Sequence, residues 1–243
     1  MIPRRTAVAL LASPLLFTGC GGAEATETRT PARRPAAAAP GASTDPARRR
    51  IPGLGPERSA RIPGRCAQAV VVTGRGADSP LCTVVLHRRT AAAGWQAGPA
   101  WPGHNALRGW SAHHTAGDLR SPLGVYTLSD AGGLLPDPGS RLPYHHSRGF
   151  RSPGTGFEGE PLEGSFDYVV AVDYNREPGT SPLDWTRPLG PERGGGVWLH
   201  VDHGGPTHGC VSIARTHMRQ LLRALDPARH PVVVMGPADW LAR

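Results

Sequence analysis

The hydrophobic positions of this chain fall into short runs rich in valine, leucine and tyrosine, which glycine, proline and aspartate separate. Runs of this length with turn residues at both ends are typical of β-strands. They occur throughout the chain after about residue 64, which indicates a mainly β fold. The predicted strands are 68–73, 83–88, 124–128, 168–172, 197–200 and 231–235.

One segment has a helical period instead of a strand pattern. Within 213–225 the apolar residues recur every three or four positions, and Asp226 begins an Asp-Pro pair that ends the run. Ser212 is the predicted N-cap of this helix. The helix would then begin just after Cys210, where free N–H groups and a partial positive charge favour a thiolate or an oxyanion.

The first residues have the pattern of a bacterial export signal. Arg4 and Arg5 precede the apolar run 7–17, which is too short to span a bilayer. The run leads into Leu-Phe-Thr-Gly-Cys, which resembles a lipobox that ends at Cys20. We therefore predict a signal peptide over 1–19 and a lipid on Cys20. This places the protein on the outer face of the cytoplasmic membrane, facing the cell wall, with plain secretion as the alternative.

The next segment, 20–63, is rich in alanine, proline and arginine and has few large apolar residues. Such a composition predicts a disordered tether before a folded domain over 64–243. Residues 1–63 carry a net charge of +6 out of the formal +8 of the whole chain. The folded domain is thus nearly neutral, which argues against nucleic acid as a partner. A basic tether fits an anionic membrane or wall surface, although a passive spacer is an equal alternative.

The four cysteines of the chain fall into separate roles. Cys66 and Cys82 flank a predicted strand and the turn after it, in a protein that is expected to be exported. Two antiparallel strands joined by that turn would bring them together, so we predict a disulfide. A zinc site is disfavoured because neither cysteine belongs to a Cys-x-x-Cys pair.

The segment 198–212 carries the parts that acyl transfer by a thiol requires. Cys210 follows a glycine and has three histidines within ten positions upstream. We assign Cys210 as the nucleophile and His200 as the base that takes its proton. Backbone N–H groups of Gly209 and Cys210 are the candidate oxyanion donors. A backbone carbonyl or the carboxylate of Asp202 would fix the tautomer of His200.

This segment resembles the active-site motif of the L,D-transpeptidases, the YkuD-like family of peptidoglycan enzymes. The family has an upstream histidine followed by Ser/Thr-His-Gly-Cys, and the likeness runs from about Cys66 to the C-terminus. The matching positions are His200, 207–210, the strand entry 121–128, and the segments 173–175 and 195–198.

The resemblance implies a β-sandwich of the L,D-transpeptidase type, with one helix following the nucleophile cysteine. It implies an L,D-transpeptidase that forms 3→3 cross-links, or exchanges the terminal D-alanine, on peptidoglycan tetrapeptide stems through a thioester acyl-enzyme. It also implies no cofactor and sensitivity to carbapenems. His208 and Gly209 would shape the oxyanion loop. The residues assigned to substrate binding are Tyr174, Asn175, His203 and Arg215.

The chain departs from the family pattern in two places. Its gap between His200 and Cys210 is short, and Ser212 stands where the family usually has arginine. Arg215 is the possible replacement for that arginine.

Alternative functions stay open at this point. If water accepted the acyl group from the thioester, the enzyme would be an L,D-carboxypeptidase. If an amine of a wall-linked protein accepted it, the enzyme would be an anchoring enzyme. A non-catalytic, wall-binding lipoprotein is another reading. A zinc hydrolase is also possible, with ligands from His200, Asp202, His203, His208 and Cys210.

Overall fold

The computed structural model describes residues 50–243. The signal peptide predicted over 1–19, the lipid site at Cys20 and most of the predicted tether lie outside the described residues. In the part that is described, no helix combines the length and the apolar character needed to cross a membrane.

Residues 50–243 form twelve strands, three short α-helices and three single turns of 3-10 helix. The strands are β1 Gln68–Gly74, β2 Leu81–Thr90, β3 Gly94–His104, β4 Trp110–Ser111, β5 Ser121–Pro122, β6 Gly124–Thr127, β7 Ala131–Gly133, β8 Tyr144–His146, β9 Val169–Ala171, β10 Trp198–Val201, β11 Val211–Ile213 and β12 Val232–Pro237. The helices are α1 Pro56–Ala60, α2 Arg215–Ala224 and α3 Ala238–Leu241.

Ten of these strands form one curled sheet in the order β6-β12-β1-β2-β3-β11-β10-β9-β7-β8. Strand β1 shows why the sheet is covered on both faces. Val70 and Val72 pack into the main core with α2, whereas Ala69 and Val71 pack into a second core on the other face. Alternate residues of a strand point to opposite faces, so a run of valines fits this double burial. The mainly β prediction is confirmed.

Helix α2 is shorter than the sequence predicts. It covers Arg215–Ala224 rather than 213–225, and its N-cap is Ala214, which makes no side-chain cap. The predicted N-cap Ser212 is wrong, because Ser212 belongs to β11 and pairs with His104 of β3. The helix buries Met218 against the main core, as its apolar period requires.

The folded region begins before residue 64, so the predicted end of the tether at 63 is corrected. Ile51 and Leu54 are 2% and 7% exposed and belong to the second core. Arg58 of α1 is also buried, and its Nε donates a hydrogen bond to the carbonyl of Trp240 (3.1 Å). Its guanidinium stacks 3.9 Å from the Trp240 ring.

The predicted disulfide between Cys66 and Cys82 is wrong. Cys82 lies opposite Gly74, next to the turn of the β1–β2 hairpin, whereas Cys66 precedes the far end of β1. The seven residues of β1 separate them by about 23 Å at roughly 3.3 Å per residue, which no disulfide bridges. Cys66 Sγ instead donates to the carbonyl of Gln68 (3.1 Å), and Cys82 is buried in the main core.

Candidate active site

Cys210 is the last residue of the loop 202–210, which joins the parallel neighbours β10 and β11. Its Sγ accepts a hydrogen bond from the backbone N–H of Trp198 (3.4 Å) and donates one to the carbonyl of Gly196 (3.6 Å). Burial raises the pKa of the Cys210 thiol to about 11, and the Trp198 N–H offsets part of this rise. The sulfur is therefore a neutral thiol at neutral pH.

His200 lies in β10 and is 2% exposed. Its Nδ1 is 2.9 Å from the carbonyl oxygen of Val201. A carbonyl only accepts hydrogen bonds, so Nδ1 carries the proton and Nε2 keeps its lone pair. Burial lowers the pKa of His200 to about 4, and the nearby His203 contributes to the lowering. The imidazole is thus neutral at neutral pH and can accept a proton.

The carboxylate of Asp202 does not orient His200. Its Oδ1 accepts hydrogen bonds from Ser212 Oγ (2.8 Å) and from His104 Nδ1 (2.9 Å). The sequence leaves two candidates for the group that fixes the tautomer of His200. In the structure that group is the backbone carbonyl of Val201. The hydrogen bonds from His104 and Ser212 outweigh the effect of burial and hold the pKa of Asp202 at about 2.

The end of the loop is fixed by hydroxyl groups. Thr207 Oγ1 donates to the carbonyl of Cys210 (2.6 Å), and Ser121 Oγ donates to the same oxygen (3.3 Å). Within 50–243, the backbone N–H groups of Gly209 and Cys210 have no hydrogen-bond acceptor. Unpaired N–H groups next to a nucleophile are suited to holding an oxyanion.

Two cavities meet at Cys210. The first cavity has a volume of about 310 Å³, and its lining includes His200, His203 and Trp198. The second cavity, of about 430 Å³, lies on the side of Gly209. The residues that line both are Trp185, Arg187, Gly195, Gly196, His208 and Cys210. A sulfur that opens into two cavities can meet two different reactants in turn.

A short hairpin over 154–162 contacts the loop 202–210 at two points. His203 Nδ1 lies 3.1 Å from Glu160 Oε1, and the ring of Phe157 lies 4.5 Å from the ring of His208. Gly205 allows the first contact, because a Cβ there would stand 2.2 Å from Glu160 Oε1. The hairpin therefore fixes two of the three histidines that line the first cavity.

The sequence model of the L,D-transpeptidase catalytic domain, the YkuD family, matches residues 68–234. The match covers most of the chain and includes β1, the strands β10 and β11 on either side of the loop 202–210, and Cys210. The chain belongs to the L,D-transpeptidase family. Comparison with curated proteins and with solved structures gives no significant match. Membership of the family makes this a cell-wall enzyme of the transpeptidase or peptidase kind, which acts on peptidoglycan.

Two residues assigned to substrate binding do not line either cavity of this L,D-transpeptidase domain. Tyr174 is buried, and its hydroxyl donates to the carbonyl of Arg193 (2.8 Å). Asn175, at φ 45°, donates to the carbonyls of Gly190 (2.9 Å) and Gly194 (2.6 Å). Both side chains instead hold the segment 176–197, which forms the wall shared by the two cavities.

Arg215 does not replace the arginine that the L,D-transpeptidase motif usually has two positions after the cysteine. It is half exposed on α2, forms an ion pair with Asp167, and lines neither cavity. Ser212 is fully buried at the usual arginine position and faces Asp202. The arginine that lines both cavities is Arg187, which no motif in the sequence indicates.

The N-terminus of α2 is not at the sulfur. Strand β11, Val211–Ile213, lies between Cys210 and the helix. The predicted stabilisation of a Cys210 thiolate by this helix terminus is therefore wrong, because the effect falls off beyond the first turn.

The described residues contain no cluster of three or more histidine, cysteine, aspartate or glutamate side chains that could hold a metal ion. Two of the ligands considered from the sequence face other partners. Asp202 faces His104 and Ser212, and His203 faces Glu160.

The resting state of the site is testable through the pH dependence of Cys210 alkylation. Because the thiol and His200 are both neutral at neutral pH, we expect the rate with iodoacetamide to rise about tenfold per pH unit between roughly pH 6 and 9. Mass mapping of the labelled peptide would separate Cys210 from the buried Cys66 and Cys82. A rate that is flat from about pH 5 to 8 would instead indicate a thiolate–imidazolium pair.

Proposed function

We propose that this enzyme is a cysteine-dependent L,D-transpeptidase that forms 3→3 cross-links between tetrapeptide stems through a thioester on Cys210. The observation that supports this most directly is the position of the sulfur. Cys210 lies where two cavities meet, and the first cavity also holds the neutral imidazole of His200. One cavity for the acyl donor and one for the acceptor amine is the arrangement that a two-substrate reaction needs.

The first half-reaction begins from the neutral pair. His200 Nε2 takes the proton of the Cys210 thiol as Sγ attacks the carbonyl of the third stem residue, a diamino acid. The N–H groups of Gly209 and Cys210 hold the oxygen that becomes negative. The C–N bond then breaks, the terminal D-alanine leaves with the proton from His200, and a thioester remains on the sulfur.

The second half-reaction reverses these proton transfers. The side-chain amine of another stem attacks the thioester carbon and gives a proton to His200, whose Nδ1 stays bonded to Val201. The C–S bond breaks, and the sulfur regains its proton from His200. Attack by water would release a tripeptide instead, which is L,D-carboxypeptidase activity on the same site. An amine of a wall-linked protein would give an anchoring reaction.

Intact-protein mass spectrometry of the purified protein tests this proposal. With a tetrapeptide stem we expect an added mass equal to the stem minus D-alanine, together with release of D-alanine. Cys210→Ala should show neither signal, because no other thiol opens into the first cavity within the described residues. A folded wild-type protein that forms no adduct and releases no D-alanine would overturn the proposal and favour a non-catalytic wall-binding role.

The fate of the adduct distinguishes the acceptors. Adding a second stem with a free side-chain amine should remove the adduct and produce the cross-linked peptide. Loss of the adduct at the same rate with and without that amine, giving only tripeptide, would assign the carboxypeptidase reaction.

We further propose that the protein is exported and anchored by a lipid on Cys20. The support is the sequence of 1–20, together with a substrate class that lies outside the cytoplasmic membrane. A lipid mass on the peptide that begins at Cys20, in protein isolated from membranes, would test the anchor. An unmodified Cys20 would indicate plain secretion.

A further inference from the structure

Arg187 lies in the wall that the two cavities share. Among residues 50–243, no other arginine lines either cavity. The side chain is partly buried, and this burial lowers the pKa of its guanidinium. A partly dehydrated cation that faces a substrate cavity is stabilised by an anion that binds there.

One half of the Arg187 guanidinium is already occupied by the protein. Its Nη1 donates to the carbonyls of Asp184 (3.0 Å) and Thr186 (2.8 Å). Nε and Nη2 have no hydrogen-bond acceptor within the described part of the chain, and no carboxylate lies within salt-bridge distance. The unused edge of the fork therefore offers two parallel N–H donors, which match the two oxygens of a carboxylate.

The backbone next to this edge consists of two glycines. A Cβ on Gly195 would stand 2.2 Å from Arg187 Nε, and one on Gly196 would stand 3.7 Å from Nη2. The absence of side chains lets the guanidinium lie against the backbone. Gly196 is also the residue whose carbonyl accepts the hydrogen bond of the Cys210 thiol. Gly196 therefore lies beside both the free edge of Arg187 and the sulfur of Cys210.

We propose that the Nε–Nη2 edge of Arg187 binds the terminal carboxylate of the peptide whose carbonyl Cys210 attacks. This assignment rests on the proposed function. In a tetrapeptide stem that carboxylate belongs to the D-alanine that leaves, one residue beyond the reacting carbonyl. Binding it near Gly196 would present the scissile carbonyl to the sulfur and to the N–H groups of Gly209 and Cys210.

The other charged group in this part of the wall does not occupy the free edge. Asp184 also lines the first cavity, but its Oδ1 accepts a hydrogen bond from the backbone N–H of Thr186 (2.8 Å). The ring of Trp185 lies against a face of the guanidinium, with its centroid 5.3 Å from the guanidinium carbon. The segment 176–197 therefore supplies a cation, Arg187, to the cavity wall. The family motif of this chain supplies none, because Ser212 stands where the family usually has arginine.

The test compares two donors, a tetrapeptide stem with a free C-terminal carboxylate and the same stem as its C-terminal amide. Acylation of Cys210 is followed by mass spectrometry in the wild type, Arg187→Gln, Arg187→Lys and the control Arg219→Gln on the exposed face of α2. With the acid, we expect Arg187→Gln to acylate about 10- to 100-fold more slowly than the wild type. With the amide, both proteins should react at similar rates. Arg187→Lys keeps the charge and loses the fork, so it should fall between them with the acid.

The outcomes separate this assignment from the proposed function. Equal slowing of Arg187→Gln with acid and amide, or no slowing with either, would overturn the assignment while thioester formation stands. A wild type that forms no adduct with either donor overturns the proposed function and the assignment with it. The iodoacetamide rate at Cys210 and the thermal midpoint check folding of each variant. If Arg187→Gln does not fold, Arg187→Lys provides the test, and we expect it to acylate more slowly than the wild type with the acid but not with the amide. Equal effects of Arg187→Lys on the two donors would contradict the assignment of Arg187.

Discussion

Replacing His200 with glutamine is expected to slow acylation of Cys210 by about 100- to 10,000-fold, the range for loss of a general base. In the proposed mechanism, the Nε2 lone pair of His200 accepts the proton of a thiol whose pKa is about 11. A glutamine amide cannot take that proton at neutral pH. The measurement is the rate of thioester formation with a tetrapeptide stem, by stopped-time mass spectrometry. Wild-type rates in the variant would show that another group removes the proton.

The same substitution changes how stability depends on pH. The pKa of His200 is about 4 in the fold, against an ordinary value of 6.5, so the unfolded chain binds more protons between these values. The neutral, buried imidazole therefore costs the folded state about 3 kcal/mol of stability as pH falls through that window. Urea titrations at about pH 4 and pH 7 should show a smaller acid-induced loss of unfolding free energy in His200→Gln. An equal loss in both proteins would contradict the assigned burial.

Replacing Arg176 with methionine is expected to lower the free energy of unfolding by about 3–5 kcal/mol, the range for removing one partner of a buried ion pair. Arg176 is 7% exposed, and its Nη1 contacts the carboxylates of Asp173 and Asp130, the latter at 3.0 Å. Its Nη2 donates to the carbonyl of Thr180 (2.8 Å). Without the guanidinium, two buried carboxylates lose their counter-charge. Chemical denaturation measures the loss.

A matched control is Arg219→Met on the exposed face of α2, where we expect a change within about 0.5 kcal/mol. Arg176 also begins the segment 176–197 that walls both cavities, so its loss should slow thioester formation as well. An unfolding free energy of Arg176→Met that matches the control would show that solvent or other groups compensate the two carboxylates.

The six strands predicted from the sequence are all present, with ends displaced by one or two residues. The valine run of β1 is recognisable as a strand in the sequence. Both faces of this strand are buried, so consecutive residues are apolar. Strand β3 was missed, since Gly94–His104 contains prolines and glycines that weaken a strand pattern. It forms because β2 pairs with it along its length, while β11 contacts it only at Gly103 and His104. Pro99 falls at the register shift opposite Val85–His87, a position where strands tolerate proline.

The site was predictable where the motif is local and unpredictable where the fold assembles it. Cys210 and His200, the predicted nucleophile and base, could be proposed from the sequence because they lie in one segment, and both line the first cavity. Arg187 was missed because the segment 176–197 has no periodicity, and its arginine has no sequence signal that sets it apart. Tyr174 and Asn175 were misassigned for a related reason. Their partners are backbone carbonyls near residues 190–194, and a sequence shows no such contacts.

The pairing of β10 with β11 has a consequence for how chains of this kind are recognised. His200 pairs with Ser212 across these strands, so strand register, and not the length of the loop 202–210, determines where Cys210 lies relative to His200. Gly204 in that loop is exposed, at φ 91°, with open space around it. Extra residues could enter there in other lineages without moving either reacting group. A search pattern that demands a fixed number of residues between histidine and cysteine would therefore divide one enzyme family into unrelated-looking sets.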